Sequence, residues 1–183
     1  GDLRGARILT VKYRFTTLPG AYEYKTPEAA RGKVDEIAAR GADFIKVWID
    51  GENDCRTGYM YQPYVGKFDT DPPGGKGTLV TDQAGANRFA AIAHKAGVIC
   101  MLHCSGDHAT DIGLNAYDKV IKSGPPGTIM RIEHFGMFQL TNAQLARAKE
   151  MRKQGLYISV QPTWLLDLVK ADFENMGEQR TRT

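Results

Sequence analysis

The stretch Val98-Ile-Cys-Met-Leu-His103 decides the fold, together with a second stretch of the same kind, Ile129-Met-Arg-Ile-Glu-His134. Short apolar runs of this length are typical of strands buried in a parallel sheet. The residues between them have a helical pattern, which predicts a β-α-β unit. Both runs end in a histidine, and α/β folds place their chemistry at the carboxyl edge of the sheet. We therefore interpret His103 and His134 as ligands of a metal at that edge.

Three further runs extend the predicted sheet to five strands, at residues 7–13, 44–49 and 157–160. Once residues 50–80 are set aside, successive strands begin about 30 residues apart, the length of a βα unit. Repeated units of this kind favour a parallel sheet with right-handed crossovers. We expect residues 1–183 to form one α/β domain with about five βα units. Its sheet is predicted to be an open twisted sheet or just over half of a TIM-like barrel.

Capping signals predict helices between these strands. Thr26-Pro27-Glu28 is a typical helix start, with an N-cap threonine, a proline and an acidic first turn. Thr141 and Gln144 form a capping box. The five predicted helices cover residues 26–40, 81–96, 109–123, 141–154 and 164–175.

Residues 50–80 are predicted to be a long loop inserted into this domain. The segment is rich in proline, glycine, tyrosine and aspartate, and includes Asp71-Pro-Pro-Gly-Gly75, which disfavours a helix. A loop of this length inside a compact domain is usually functional. We expect it to form a lid or the wall of a pocket.

Composition argues against several classes of partner. The chain has 24 basic and 21 acidic residues without a basic stripe, which predicts no nucleic-acid partner. No apolar run approaches the roughly 20 residues that span a bilayer, which predicts no membrane partner. The three cysteines, an odd number, indicate no disulfide framework and favour a reducing compartment, for which we expect the cytoplasm.

Side chains alternate between the two faces of a strand, which assigns the candidates to faces. Cys100 falls on the face opposite His103, so we expect a packed core thiol rather than a zinc ligand. In the next strand, His134 is grouped with Ile132 and Met130 on the inward face.

Lys46 lies in the middle of an otherwise apolar strand, where an amine needs a partner or loses its charge. One interpretation is a core lysine paired with a carboxylate. The other is a lysine at the metal edge, carbamylated by carbon dioxide and acting as an anionic ligand.

Four motifs and a trailing segment occur in order along residues 40–180. They are Gly41-Ala-Asp-Phe-Ile-Lys46-Val-Trp-Ile-Asp50-Gly51, His103-Cys-Ser-Gly106-Asp107-His108-Ala109, Arg131-Ile-Glu133-His134, Ser159-Val-Gln161-Pro162 and Asn175-Met-Gly177-Glu178-Gln-Arg180. The four motifs resemble the fourth to seventh strands of the amidohydrolase superfamily, and the last segment resembles the stretch that follows. The similar branch includes N-substituted formamide deformylase.

The resemblance implies a (β/α)8 barrel with one or two divalent metals, usually zinc, that hydrolyses C–N bonds in small amide, formamide or cyclic substrates. It implies that Lys46 is a carbamylated bridging ligand and that His103 and His134 bind the second metal. Six further side chains become candidates for substrate binding or for supporting the ligands: Asp50, Asp107, His108, Arg131, Glu133 and Gln161.

The family's His-x-His pair on strand one has no counterpart among the four histidines, and its catalytic aspartate on strand eight is expected beyond Arg180. We therefore expect a central fragment, about strands three to seven, that is poorly active by itself. Two alternatives stay open. One is a non-catalytic α/β module that forms homo-oligomers through its open sheet edges. The other is a small enzyme with one metal on Lys46, His103 and His134.

Overall fold

The computed structural model describes residues 26–124, 129–135 and 140–181, within which four strands form one parallel sheet. The strands are β1 (Phe44–Trp48), β2 (Ile99–His103), β3 (Met130–Glu133) and β4 (Leu156–Ser159), side by side in chain order. Trp48 lies opposite His103, and His103 lies opposite Glu133. Four of the predicted strands are therefore confirmed. The fifth, at residues 7–13, lies outside the described residues.

Helices occur between the strands and after the last one, and their caps follow from the sequence. Thr26 accepts a hydrogen bond from the backbone N–H of Ala29 at 3.2 Å, and Thr141 forms the predicted capping box. The α-helices are α1 (Pro27–Ala39), α2 (Gln83–Lys95), α3 (Asp107–Ser123), α4 (Asn142–Arg152), α5 (Trp164–Asp167), α6 (Val169–Met176) and α7 (Glu178–Thr181).

The prediction of one continuous helix over residues 164–175 is wrong, because Leu168 ends α5 and precedes α6. The interruption separates two packing roles. Trp164 on α5 stacks on His134, whereas Asn175 on α6 donates to the long loop. A single straight helix would have to bring Trp164 to His134 and Asn175 to the long loop from one helix axis.

One face of the sheet forms a hydrophobic core beneath the helices. Ile45, Val47, Leu102 and Ile132 are completely buried there. Cys100 belongs to the same core, as expected, and its burial raises the pKa of the thiol to about 12. This core fixes the alternation of the strands, and so determines which side chains face the opposite side.

The prediction that His134 shares a face with Ile132 and Met130 is wrong, although His134 does reach His103. Ile132 and Met130 point into the helix-covered core, whereas Glu133 is in register with His103 on the other face. His134 follows the end of β3 and adopts φ 68°, a left-handed conformation that is uncommon outside glycine. This backbone turn brings its imidazole to His103, although strict alternation would place it on the opposite face.

The segment at residues 50–82 contains a short 3₁₀ helix, Pro73–Gly75, and otherwise no regular element. It lies over the carboxyl edge of the sheet. Its end pairs with the end of β1, since the backbone N–H of Val80 donates to Ile49 O at 2.8 Å. Its middle is attached to α3, because the backbone N–H of Ala109 donates to Tyr59 O at 3.2 Å.

Among the described residues, no helix covers the second face of the sheet, as in a partial barrel. Side chains on this face line a hollow of about 570 Å³. Tyr157 and Val160 are 59% and 61% exposed at its border. Within the described part of the chain, no helix combines the length and the apolar character needed to cross a bilayer.

Candidate metal centre

His103, the last residue of β2, is almost completely buried. Its Nε2 lies 3.2 Å from Gly51 O and 3.2 Å from Ser105 Oγ. Its Nδ1 is buried and has no hydrogen-bond partner in the described part of the chain. Burial lowers the pKa of His103 to about 3, and the neighbouring His134 and Lys46 contribute. The imidazole therefore stays neutral at physiological pH and keeps a lone pair for a ligand.

His134 is held in one orientation by Gln161. The Nδ1 atom of His134 lies 2.8 Å from Gln161 Oε1, and the Gln161 amide donates to Ser159 Oγ at 3.1 Å. Because the amide oxygen can only accept, Nδ1 carries the proton and Nε2 carries the lone pair. Burial lowers the pKa of His134. Gln161 thus presents Nε2 to the site, as the hydrogen-bond partners of metal-binding histidines do.

Glu52 completes a set of three potential ligands. One ligand atom each from Glu52, His103 and His134 lie within 4.8 Å of one another. The Glu52 Oε1 atom is 3.4 Å from His103 Nε2, and Ser105 Oγ donates to Oε2 at 3.0 Å. Sequence reasoning missed Glu52 because it lies in the long loop. The available signal was its position four residues after Trp48, the last residue of β1.

Lys46 lies beside the two histidines. Its Nζ atom is 3.4 Å from His134 Nε2 and 4.9 Å from the centroid of the Trp48 ring. Burial lowers the pKa of Lys46, while the nearby Glu133 and Glu52 carboxylates act in the opposite direction. The structure therefore brings together all three residues that the sequence analysis named as ligands, at the carboxyl edge of the sheet.

Aromatic rings flank the two imidazoles. The Trp48 ring stacks on His103 with centroids 5.5 Å apart, and the Trp164 ring stacks on His134 at 5.0 Å. The imidazoles themselves are 4.4 Å apart in an edge-to-face arrangement. The stacked Trp48 and Trp164 rings limit the rotation of both histidines and reduce the access of water to the imidazole faces that they cover.

Asp50 lies behind the ligands and joins three segments. Its fully buried carboxylate accepts backbone hydrogen bonds from Ser105 at 3.0 Å, Gly106 at 2.7 Å and Tyr59 at 2.8 Å. Burial raises the pKa of Asp50 to about 8, against the effect of these donors. Its nearest oxygen is 4.0 Å from His103 Nε2. Asp50 therefore supports the loop and the β2 terminus from behind.

The other predicted residues lie at two places around the centre. Arg131 and Glu133 form an ion pair with each other on the open side of β3. Asp107 accepts the backbone N–H of Tyr61 at 2.9 Å, and His108 stacks on the Tyr61 ring at 4.1 Å. These last two side chains, at the start of α3, hold the long loop and do not belong to the group of three ligands.

The three ligands suit a divalent metal. Two neutral imidazoles and one carboxylate are a nitrogen and oxygen set that zinc and other divalent metals accept. One buried His103 nitrogen has no partner among the described residues, which is costly unless a ligand binds it. The residues present therefore fit a metal centre.

Comparisons with known proteins agree with this chemistry. A model of the amidohydrolase family matches residues 14–179. Protein LONG AFTER FAR-RED 3 of Arabidopsis thaliana is 30% identical over 139 residues, which are 74% of this chain and 22% of that protein.

Two solved structures have similar folds, both described as uncharacterized metal-dependent hydrolases. The protein from Pyrococcus furiosus gives a TM-score of 0.63 at 24% identity, over 82% of this chain and 31% of that one. The protein from Pyrococcus horikoshii OT3 gives 0.63 at 25% identity, over 87% and 31%. The chain thus spans less than a third of the length of these relatives. With the family model matching most of its length, this chain belongs to the amidohydrolase family, a family of hydrolases.

Proposed function

We propose that this chain carries the metal centre of a hydrolase that cleaves C–N bonds in small amide or formamide-type substrates. The observation that supports the proposal is the convergence of Glu52, His103 and His134 within 4.8 Å, on residues from a loop and two strand ends. The substrate class rests on the resemblance of the motifs. The activity of the whole protein is part of the proposal, because the chain spans 22% of its curated relative.

Glu52, His103 and His134 would hold a divalent metal, whose Lewis acidity would serve to activate water near neutral pH and to polarise a carbonyl group. The chain's own residues prepare the site for it. Gln161 holds the His134 tautomer, and burial keeps both imidazoles neutral. Ser105 orients the Glu52 carboxylate, while the stacked Trp48 and Trp164 rings keep the imidazoles in place.

Zinc is the metal we propose, since mixed imidazole and carboxylate sets are common in catalytic zinc sites. We also propose that Lys46 becomes carbamylated and adds a fourth ligand. Two observations support this: its amine lies 3.4 Å from His134 Nε2, and burial lowers its pKa toward the neutral amine that reacts with carbon dioxide. The cytoplasm is the proposed compartment, supported by free thiols at Cys55, Cys100 and Cys104.

A zinc titration of the metal-free 183-residue chain tests the centre. Trp48 and Trp164 are the only tryptophans and each stacks on one histidine, so their fluorescence reports binding directly. We expect one zinc site per chain. His103→Asn and His134→Asn should each weaken it by more than the roughly 10–100-fold typical of outer-shell changes.

His94→Asn is the matched control, since His94 lies near the end of α2 and outside the group of three ligands. It should leave the zinc affinity unchanged. Equal affinity in all four proteins would refute the proposed centre. We expect the chain to turn over amides poorly even with zinc, because its ligand set includes no established proton acceptor for the reaction.

A further inference from the structure

Glu52 is the one potential ligand of the group that lies in a loop, whereas His103 ends β2 and His134 follows β3. Loops are the more mobile parts of a fold, and a misplacement of about 1 Å at a site is costly. Glu52 therefore needs support from elsewhere in the molecule. The backbone of its turn is closed by Thr57, whose N–H donates to Glu52 O at 2.9 Å. A closed turn still has to be anchored to the rest of the fold.

Asn175, on the buried face of α6, supplies one anchor, in addition to the Asn53 side chain, which donates to Ser105 O at 3.0 Å. Its side-chain amide donates to Asn53 O at 3.1 Å and to Asp54 O at 2.9 Å. These carbonyls belong to the two residues that directly follow Glu52. Asn175 is 122 residues away from Asn53 in sequence, so the contact ties the turn to the carboxyl-terminal helices. Its own backbone oxygen accepts the N–H of Val65 at 2.7 Å, which adds a second link to the loop.

Arg56 determines which way the Asn175 amide points. Its Nη1 donates to Asn175 Oδ1 at 3.2 Å. Because the oxygen of the amide is occupied in this way, the NH₂ group must face the two carbonyls after Glu52. The Arg56 guanidinium is itself fixed by two hydrogen bonds to Asp71, at 2.5 and 2.7 Å. It also lies over the Phe68 ring at 4.6 Å.

We propose that Arg56 and Asn175 are positioning residues of the metal centre. We call this pair the Arg56–Asn175 clasp. The clasp holds the carbonyls of Asn53 and Asp54, and thereby keeps the Glu52 carboxylate against His103. It contacts none of the three ligand side chains, so it acts on the metal only through Glu52. The inference rests on the proposed function, because it assigns the clasp a role only if Glu52 binds the metal.

A double-mutant cycle on zinc affinity tests this dependence. Asn175→Leu is expected to weaken zinc binding about 10–100-fold, the range for groups that orient a ligand, and Glu52→Gln by more, because it changes a proposed ligand. The double variant should be no weaker than Glu52→Gln alone, because the clasp has no ligand left to position. If the clasp served only fold stability, any loss of zinc affinity in Asn175→Leu would add to the loss in Glu52→Gln, and the double variant would be weaker than either.

Arg180→Ala is the matched control. Arg180 also ties the carboxyl-terminal helices to the loop, by donating to Gln62 O at 3.3 Å and Pro63 O at 2.8 Å, but away from Glu52. It should keep the affinity of the unmodified chain. Arg56→Lys keeps the positive charge but loses the planar guanidinium that donates to both Asp71 and Asn175, so it should also weaken zinc binding. This variant tests the clasp even if Asn175→Leu does not fold.

The outcomes separate the two proposals. Additive losses from Asn175→Leu and Glu52→Gln would overturn the clasp and leave the metal centre standing, as would unchanged affinity in both clasp variants. If Glu52→Gln binds zinc as tightly as the unmodified chain, Glu52 is not a ligand and the clasp has no role in metal binding. The metal centre itself is tested independently by His103→Asn and His134→Asn. Unfolding melts of every variant confirm that the affinities come from folded protein.

Discussion

His134 reaches the centre through its backbone rather than through strand alternation. A non-glycine residue at φ 68° carries a conformational cost, and such residues concentrate at functional sites. The imidazole then has two fixed contacts, the Gln161 oxygen at Nδ1 and the Lys46 amine at Nε2. Gln161 is therefore a side chain that acts on the metal site through another residue.

Replacing Gln161 by leucine should weaken zinc binding about 10–100-fold, because His134 Nδ1 loses its acceptor and the tautomer is no longer held. Gln161→Glu keeps an acceptor at the same place and should retain most of the affinity. The zinc titration followed by tryptophan fluorescence measures both. Equal affinities for the leucine and glutamate variants would contradict the proposed role.

Asp172 is a buried carboxylate on α6, and neither of its oxygens has a hydrogen-bond partner among the described residues. Burial, together with Asp54 and Glu52, raises its pKa to about 7 from 3.8. The folded state therefore holds this proton longer than the unfolded state. The Asp172 contribution to stability is present at low pH and is lost between about pH 4 and pH 7.

Asp172→Asn should consequently stabilise the fold at pH 8 by about 1–3 kcal/mol, because it removes an unpaired buried charge. At pH 4 the gain should nearly vanish, since the aspartic acid is then neutral as well. Urea unfolding at both pH values measures the difference. A gain that is independent of pH would mean that Asp172 is not ionised in the folded protein.

At the scale of elements, α3 packs against the sheet at the distance that a glycine permits. A Cβ atom at Gly113 would lie 2.9 Å from Cys104 Sγ and 3.4 Å from Ile132 Cδ1. Both neighbours are completely buried in the core. The helix that begins four residues after His103 is thus held close to the strands that carry the potential ligands.

Gly113→Ala should destabilise the chain by about 1–3 kcal/mol, the range for overpacking a filled core, despite the better helix propensity of alanine. Gly32→Ala in α1 is the matched control, because no atom lies within 4 Å of its new Cβ. It should stabilise by about 0.5–1 kcal/mol. Chemical unfolding of the two variants checks the opposite signs, and a stable Gly113→Ala would show that α3 can move away from the sheet.

At the scale of the whole molecule, the described helices cover one face of the sheet, and none of the described residues covers the other. Ile129, Tyr157 and Val160 are about half exposed or more on that side, beside the hollow of about 570 Å³. Apolar surface of this kind favours association, and β4 is an edge strand of the described sheet. We therefore propose that the 183-residue chain forms homo-oligomers through this face.

Light scattering coupled to size-exclusion chromatography should show that the average molar mass of the 183-residue chain rises with protein concentration. Tyr157→Lys combined with Val160→Lys should lower that mass, because it places charges on the open face. Leu166→Lys is the control, since Leu166 is 85% exposed on α5, away from the residues that line the hollow. A monomer at all concentrations would exclude the oligomer and, with it, the alternative of an oligomeric module.

Local patterns in the sequence determined four strands, their order in an alternating α/β chain, the helix caps and the two histidines. These features depend on residues close in sequence, such as the apolar runs that end at His103 and Glu133. The motifs around Lys46 and His134 also placed the chain in its family, and the family model agrees.

Only the tertiary structure decided the rest of the centre. Glu52 joins it because a long loop folds back over the sheet edge, and His134 joins it because one residue leaves the strand conformation. The break at Leu168 and the contact from Asn175 to Asn53 likewise depend on packing between segments far apart in the chain. Sequence periodicity describes which face a residue occupies within its own element, whereas these contacts are set by how separate elements meet.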